Sequence, residues 1–163
     1  MQRLLIIWDS MTGGSEALAR ASQAGARRAK EVDVRIMHAA RVHPTDVLAA
    51  DAFIFIFPEN LAAISGTMKS FFDRCYYPCL DRLNARPYAV IVCAGADGRN
   101  AVAQAERIAN GWRLRKIAES MIVCTHAQMP EAICAPKVMD DAHLNAAAEL
   151  GENLATGLSM GVY

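Results

Sequence analysis

Three hydroxyl side chains, Ser10, Thr12 and Ser15, surround two glycines in the stretch Ser10-Met11-Thr12-Gly13-Gly14-Ser15. Glycine lets a backbone turn its amides inward, and hydroxyls add donors that leave an anion's charge uncancelled. The stretch contains no lysine or arginine, so it would hold a phosphate through neutral dipoles and a helix amino terminus. It lacks the Gly-Lys-Ser/Thr ending of a nucleotide triphosphatase loop and the Gly-x-Gly-x-x-Gly of a dinucleotide fold. The same string also serves as a plain helix cap after a tight turn. Glu16, just beyond it, reads as a residue that compensates the helix dipole.

Other residue types offer less. Cys75 and Cys79 are one helical turn apart, the spacing of a dithiol or half a metal site, but no histidine or second pair accompanies them. His38, His43, His126 and His143 are dispersed, with no ligand spacing among them. No side chain stands out as a catalytic acid or base, and no metal set emerges. Trp8 and Trp112 read as core residues. Arg99 and Arg113 could attract a phosphate, although solvated arginines are commoner.

The elements that must position the hydroxyl loop follow from the apolar pattern. Leu4 to Trp8 is a continuous apolar run, as in a strand buried on both faces, and Ser15 to Lys30 carries alanine and leucine at helical spacing. Val32 to Met37 reads as a second strand and Ala52 to Phe57 as a third, stopped by Pro58. Ser65, a plausible cap, opens a helix to Arg74, with Tyr76-Tyr77-Pro78 as a helix end or an oligomer contact. Tyr88 to Cys93, Asn100 to Trp112, Ser120 to Thr125 and Asp140 to Leu158 complete a strand, helix, strand, helix series. Alternation of this kind predicts one α/β domain over 1–163, a doubly wound parallel sheet of five strands in order 2-1-3-4-5 with helices on both faces. A ligand would then lie beyond the carboxyl ends of strands one and three, where the winding reverses.

The bulk composition agrees with an ordinary globular domain: 163 residues, 53% hydrophobic and 21% charged. Seventeen basic residues balance seventeen acidic ones, which argues against a general nucleic-acid binder and against a strongly acidic docking surface. Five cysteines, an odd number without a secretory leader, point to reduced thiols and a cytoplasmic protein. No apolar run approaches the roughly 20 residues needed to span a bilayer.

The segment Ile7 to Ser15 resembles the Ser/Thr-x-Thr-Gly-x-Thr/Ser phosphate loop of flavodoxins. Phe57 to Arg74, read Phe-Pro-Glu-Asn-Leu-Ala-Ala-Ile-Ser-Gly-Thr-Met-Lys-Ser-Phe-Phe-Asp-Arg, is similar to the second flavin loop and following helix of flavodoxin-like NAD(P)H-dependent oxidoreductases. Arg86 to Gly98 looks like their fourth strand and third flavin loop. The resemblance runs from the first strand through Trp112, about two-thirds of the chain, and the middle segment is the most specific.

The resemblance implies a flavodoxin-like FMN-binding domain. Ser10, Met11, Thr12, Gly13, Gly14 and Ser15 would hold the ribityl phosphate. Pro58, Glu59, Asn60, Leu61 and Ala62 would lie along the isoalloxazine edge, and Cys93, Ala94, Gly95, Asp97 and Gly98 would face its pyrimidine side. The implied activity is that of an FMN-dependent NAD(P)H oxidoreductase passing a hydride through flavin N5 to a quinone-like or flavin acceptor. The flavin carries that chemistry, so no catalytic side chain is required. Two alternatives stay open: a flavodoxin-type single-electron carrier working with redox partner proteins, and a flavodoxin-like domain that has lost flavin. The second alternative rests on Ala62 and Ala63, where the related pattern often has glycine and a polar residue. The loops also lack the aromatic rings that many flavodoxins lay against the flavin, offering Asn60 and Leu61 instead. Relatives of this type are often homo-oligomers.

Overall fold

Leu4, Leu5, Ile6 and Ile7 are each at most 1% exposed, as a strand with covered faces on both sides requires. They belong to β1 (Gln2–Trp8), the second lane of a sheet seen in a computed structural model that describes all residues from Met1 to Tyr163. The elements follow as α1 (Gly14–Ala26), β2 (Val32–His38), a 3₁₀ turn (Ala39–Arg41), α2 (Pro44–Leu48), β3 (Ala52–Asn60) and β4 (Ala63–Ile64). After them come α3 (Gly66–Cys79), β5 (Pro87–Ala94), α4 (Arg99–Gly111), β6 (Arg115–Lys116), β7 (Met121–Cys124), α5 (Pro130–Cys134) and α6 (Asp141–Ser159).

The sheet has seven strands, not the five expected, and runs β2-β1-β3-β5-β6. Two local departures make the difference. The expected fifth strand is divided: β6 pairs with Pro87 and Tyr88, and β7 pairs further along with Ile91 to Ala94. The other extra strand is β4, which folds back antiparallel on the end of β3. All other pairings are parallel.

Pro58 does not stop β3. Asp9 N donates to Ile56 O, so Ile56 directs its backbone groups toward β1. Two residues on, Pro58 faces the same side, but β1 has already ended at Trp8, so its missing N–H leaves no ladder bond unmade. On its other side the strand continues its pairing, Pro58 opposite Cys93.

Period-two alternation along β3 and β5 divides the core. Ala52, Ile54, Ile56, Ala89, Ile91 and Cys93 face α1 and α6, while Phe53, Phe55, Phe57, Tyr88, Val90, Val92 and Ala94 face α2, α3 and α4. On the second face Phe55 meets Phe72 at 5.0 Å, and Trp112 meets Phe72 at 5.2 Å, so Trp112 is a core residue as its sequence context implied. On the first face α1 and α6 touch backbone to backbone. A Cβ on Gly25 would stand 1.8 Å from Ala148 O, and one on Gly151 would stand 2.1 Å from Ser22 O. Only glycine permits that approach, and it fixes the axis of α1 whose amino terminus carries the hydroxyl loop.

Helix ends depart from expectation at two places. Ser65 occupies the cap position of α3, but its hydroxyl is buried and makes no hydrogen bond. Pro78 lies inside the last turn of α3, which continues to Cys79 and leaves Tyr77 80% exposed.

Candidate functional site

The carboxyl ends of β1, β3 and β5 open into a cleft of about 360 Å³. Ser10, Met11, Thr12, Gly14 and Ser15 form one wall, Pro58, Glu59 and Asn60 a second, and Cys93, Ala94 and Gly95 the floor. The three segments singled out from sequence thus converge, at the edge where an open α/β sheet binds its ligands. Gly13, Leu61, Ala62, Asp97 and Gly98 do not line the cleft; they shape the loops that do.

The first wall has the chemistry that an anion would require. Gly13 adopts φ +92°, a conformation that costs an L-residue about 1–2 kcal/mol, and so turns the chain into α1. Its amide donates to Ser10 Oγ at 3.0 Å. A Cβ on Gly14 would press on Cys93 Sγ at 2.9 Å, so this residue too must be small for the helix to start against β5. Ser15, in the first turn of α1, is 1% exposed and its Oγ has no hydrogen-bond partner. The neighbouring Cys93 thiol makes no hydrogen bond of acceptable geometry with it. An orphaned buried hydroxyl costs about 1–3 kcal/mol, a cost that a bound acceptor would remove. Glu16 is turned away to Arg20, 2.6 Å from its guanidinium, and leaves the helix start without a facing carboxylate.

The second and third segments are tied to each other. Glu59 Oε2 accepts from Gly98 N at 2.9 Å, Ile64 N donates to Gln104 Oε1 at 3.0 Å, and Asn100 donates to Ala62 O. Gly98 has φ +81° and no room for a Cβ, which would come 2.7 Å from Ile122. Between β3 and β4 the turn places Leu61 at φ +51° and Ala62 at φ +59°, the paired left-handed conformation of a two-residue hairpin that Asn-Gly usually fills. Leu61 is fully exposed on this strained rim. Asp97 points outward, and the Arg99 guanidinium bonded to it holds its carboxyl below the usual range. Arg113 pairs with Asp81. Neither arginine lines the cleft.

A third wall was not legible in the sequence. Thr125 and Ala127 follow β7, and Ile133, Cys134 and Lys137 come from α5 and the segment after it. Thr125 N and His126 N donate to Ala94 O and Gly95 O, and Lys137 N donates to Thr12 O at 2.7 Å, closing the wall onto the hydroxyl loop. Lys137 Nζ is held by Ala132 O, Ile133 O and Ala135 O at 2.6–2.9 Å, which fixes the only cationic side chain in the lining. Burial pushes the Cys93 thiol above its ordinary pKa, against the pull of Lys137, so Cys93 lines the floor as a neutral thiol. Cys75 and Cys79 are buried far along α3, Cys75 pushed to about 12 by burial.

The family model described as NADPH-dependent FMN reductase matches residues 3–128, more than half of the chain. A flavodoxin from Aquifex aeolicus (strain VF5) is 36% identical over 73 residues, 45% of this chain and 40% of that protein, so the match spans less than half of the relative's length. Among solved structures, a flavodoxin from the domain Archaea superposes with a TM-score of 0.79 at 16% identity, covering 97% of this chain and 99% of the other. A flavodoxin, WrbA-like protein from Agrobacterium tumefaciens gives 0.75 at 14% identity, covering 98% and 99%. At such identities the structural matches establish the flavodoxin-like fold.

Proposed function

The chain belongs to the NADPH-dependent FMN reductase family, within the flavodoxin-like flavoproteins, and from that premise we propose that it is an oxidoreductase in which FMN, seated in the cleft beyond β1, β3 and β5, is reduced by NAD(P)H. The observation that carries the reading is Ser15: a buried hydroxyl without a partner, in the first turn of α1, beside a loop, Ser10 to Ser15, that contains no acidic residue. The residues present fit the phosphate of FMN. Ser10, Thr12 and Ser15 would bind it with the amide of Gly14, in the partial positive field of the helix start, while the Gly13 amide holds Ser10 Oγ in place.

When bound, the flavin supplies the redox chemistry, accepting a hydride from the nicotinamide and passing reducing equivalents to a quinone-like or flavin acceptor. The chain's own part is positional. Pro58, Glu59 and Asn60 would border the ring system on one edge, and the backbone of Ala94 and Gly95 on the other. The Glu59–Gly98 bond locks these two borders together. Lys137 would add positive charge near the ring or its phosphate without moving, because three carbonyls already hold its ammonium. No aromatic side chain lines the cleft, so one ring face would remain open to a second flat substrate.

Anaerobic addition of NADPH, and separately NADH, to the FMN-loaded protein tests the reading by the visible spectrum. Rapid bleaching by either nucleotide supports the reductase. Failure of both to bleach bound FMN would refute it, and electron uptake in two separate single steps from a chemical reductant would favour the carrier role.

A further inference from the structure

A second cleft of about 360 Å³ opens at the same end of the sheet, one lane over, where β1 and β2 finish. Trp8, Arg20, Ile36, Met37, His38 and Arg41 line it. Two guanidinium groups, an imidazole and an indole meet there, and no carboxylate is part of the lining, although basic and acidic residues balance over the whole chain. Such a combination suits a phosphate attached to a flat heteroaromatic ring.

The walls are fixed in advance. The Arg74 guanidinium donates to Ala39 O and Val42 O, pinning the backbone on both sides of Arg41. His38 is paired through Nε2 with the buried Asp9 carboxylate at 3.4 Å, and Ala40 N donates to its Nδ1 at 3.3 Å. The Trp8 ring meets the His38 ring edge-on at 4.8 Å. Arg20 is shared with Glu16, whereas Arg41 makes no ion pair or hydrogen bond and is exposed. A free guanidinium on a held backbone can take a phosphate without giving up another partner.

The two clefts share the β1–α1 loop as a partition. Trp8 faces one and Ser10 the other, two residues apart and so within about 7 Å along the chain. A ligand with one end at the flavin and the other beyond this partition would be an elongated dinucleotide. We infer that the second cleft receives the adenosine 2′-phosphate end of NADPH, with Arg41 and Arg20 on the phosphate and the Trp8–His38 pair beside the adenine. This inference rests on the reductase reading for its ligand, but its test can stand apart from turnover.

The probe is adenosine 2′,5′-bisphosphate, titrated calorimetrically into the protein with and without FMN. Binding is expected in both cases, at least tenfold weaker in Arg41→Gln and weaker again in Arg20→Gln/Arg41→Gln, with FMN affinity unchanged in Arg41→Gln. In turnover, Arg41→Gln should raise KM for NADPH at least tenfold while leaving kcat and the KM for NADH in place. No binding of the bisphosphate, or equal binding by wild type and the double variant, would overturn the inference, even where NADPH still bleaches the flavin. Arginine-dependent bisphosphate binding without any reduction by NADPH would leave the nucleotide cleft standing and remove the reductase reading instead. Both arginines are exposed, so the variants should fold, and a thermal melt of each confirms it.

Discussion

Replacing Ser15 by alanine should have opposite effects on the free protein and on its complex. In the free protein the Ser15 hydroxyl is 1% exposed and unpartnered, so it carries a desolvation cost without return. Removing it should stabilise the apoprotein by about 1 kcal/mol, the low end of the range for an unsatisfied group because a small void remains. For a domain of this size that is a rise in Tm of roughly 2–4 °C. In the complex, the same change deletes a hydrogen bond to a phosphate, about 1.5–3 kcal/mol, so FMN should bind roughly 10- to 150-fold more weakly. Ser22 and Ser65 are the controls: their hydroxyls are equally buried and unpartnered, but neither lines the cleft. Alanine at either should raise the apoprotein's Tm and leave FMN affinity alone. Thermal melts of apoprotein and fluorescence titration with FMN give both quantities. A Ser15→Ala protein that melts lower and binds FMN as wild type does would show the hydroxyl to be structural and not a phosphate ligand.

Gly98→Ala should cost about 2–4 kcal/mol in urea denaturation, combining the left-handed backbone penalty with overpacking against Ile122, and should loosen the Glu59 tie. Alkylation at pH 8, read by mass spectrometry, should label the exposed Cys134 first, and bound FMN should slow it because Cys134 lines the cleft. Cys75, Cys79 and Cys93, all raised by burial, should resist until the protein unfolds. Glu106 is held below its ordinary pKa by Lys116 at 2.8 Å and by Ser120. A lowered folded pKa gives stabilisation that is complete above the ordinary glutamate value and is lost as pH falls through the folded one. Glu106→Gln should therefore flatten the acid limb of the stability curve, measured by urea denaturation from about pH 6 down to about pH 3.

The three segments that converge on the main cleft were visible in the sequence because each combines a buried strand with an unusual loop directly after it. Apolar runs such as Leu4–Ile7 and Ala52–Phe57 reveal buried parallel strands, and turn chemistry marks where they open. Pro58 misled for a reason that only the sheet supplies: β1 ends earlier, so its absent donor is harmless. The division of the fifth lane into β6 and β7 was equally hidden, since Arg115 and Lys116 are exposed and carry no strand pattern. The wall from Thr125 to Lys137 lacked any motif, and its place depends on long-range backbone bonds to Ala94, Gly95 and Thr12. The position of this wall follows from topology, because every strand of an open parallel sheet delivers its next loop to the same edge. Arg41 could not be singled out either, as its pinning by Arg74 links residues far apart in sequence.

FMN and riboflavin differ only in the phosphate that the Ser10–Ser15 loop would bind, so their relative affinities report on that loop alone. Titrated into apoprotein and followed by flavin fluorescence, FMN should bind at least 100-fold more tightly than riboflavin, the loss of about 3 kcal/mol of charge-assisted hydrogen bonds. Equal affinity for the two, or no binding of FMN at all, would show that this loop is not an FMN phosphate site.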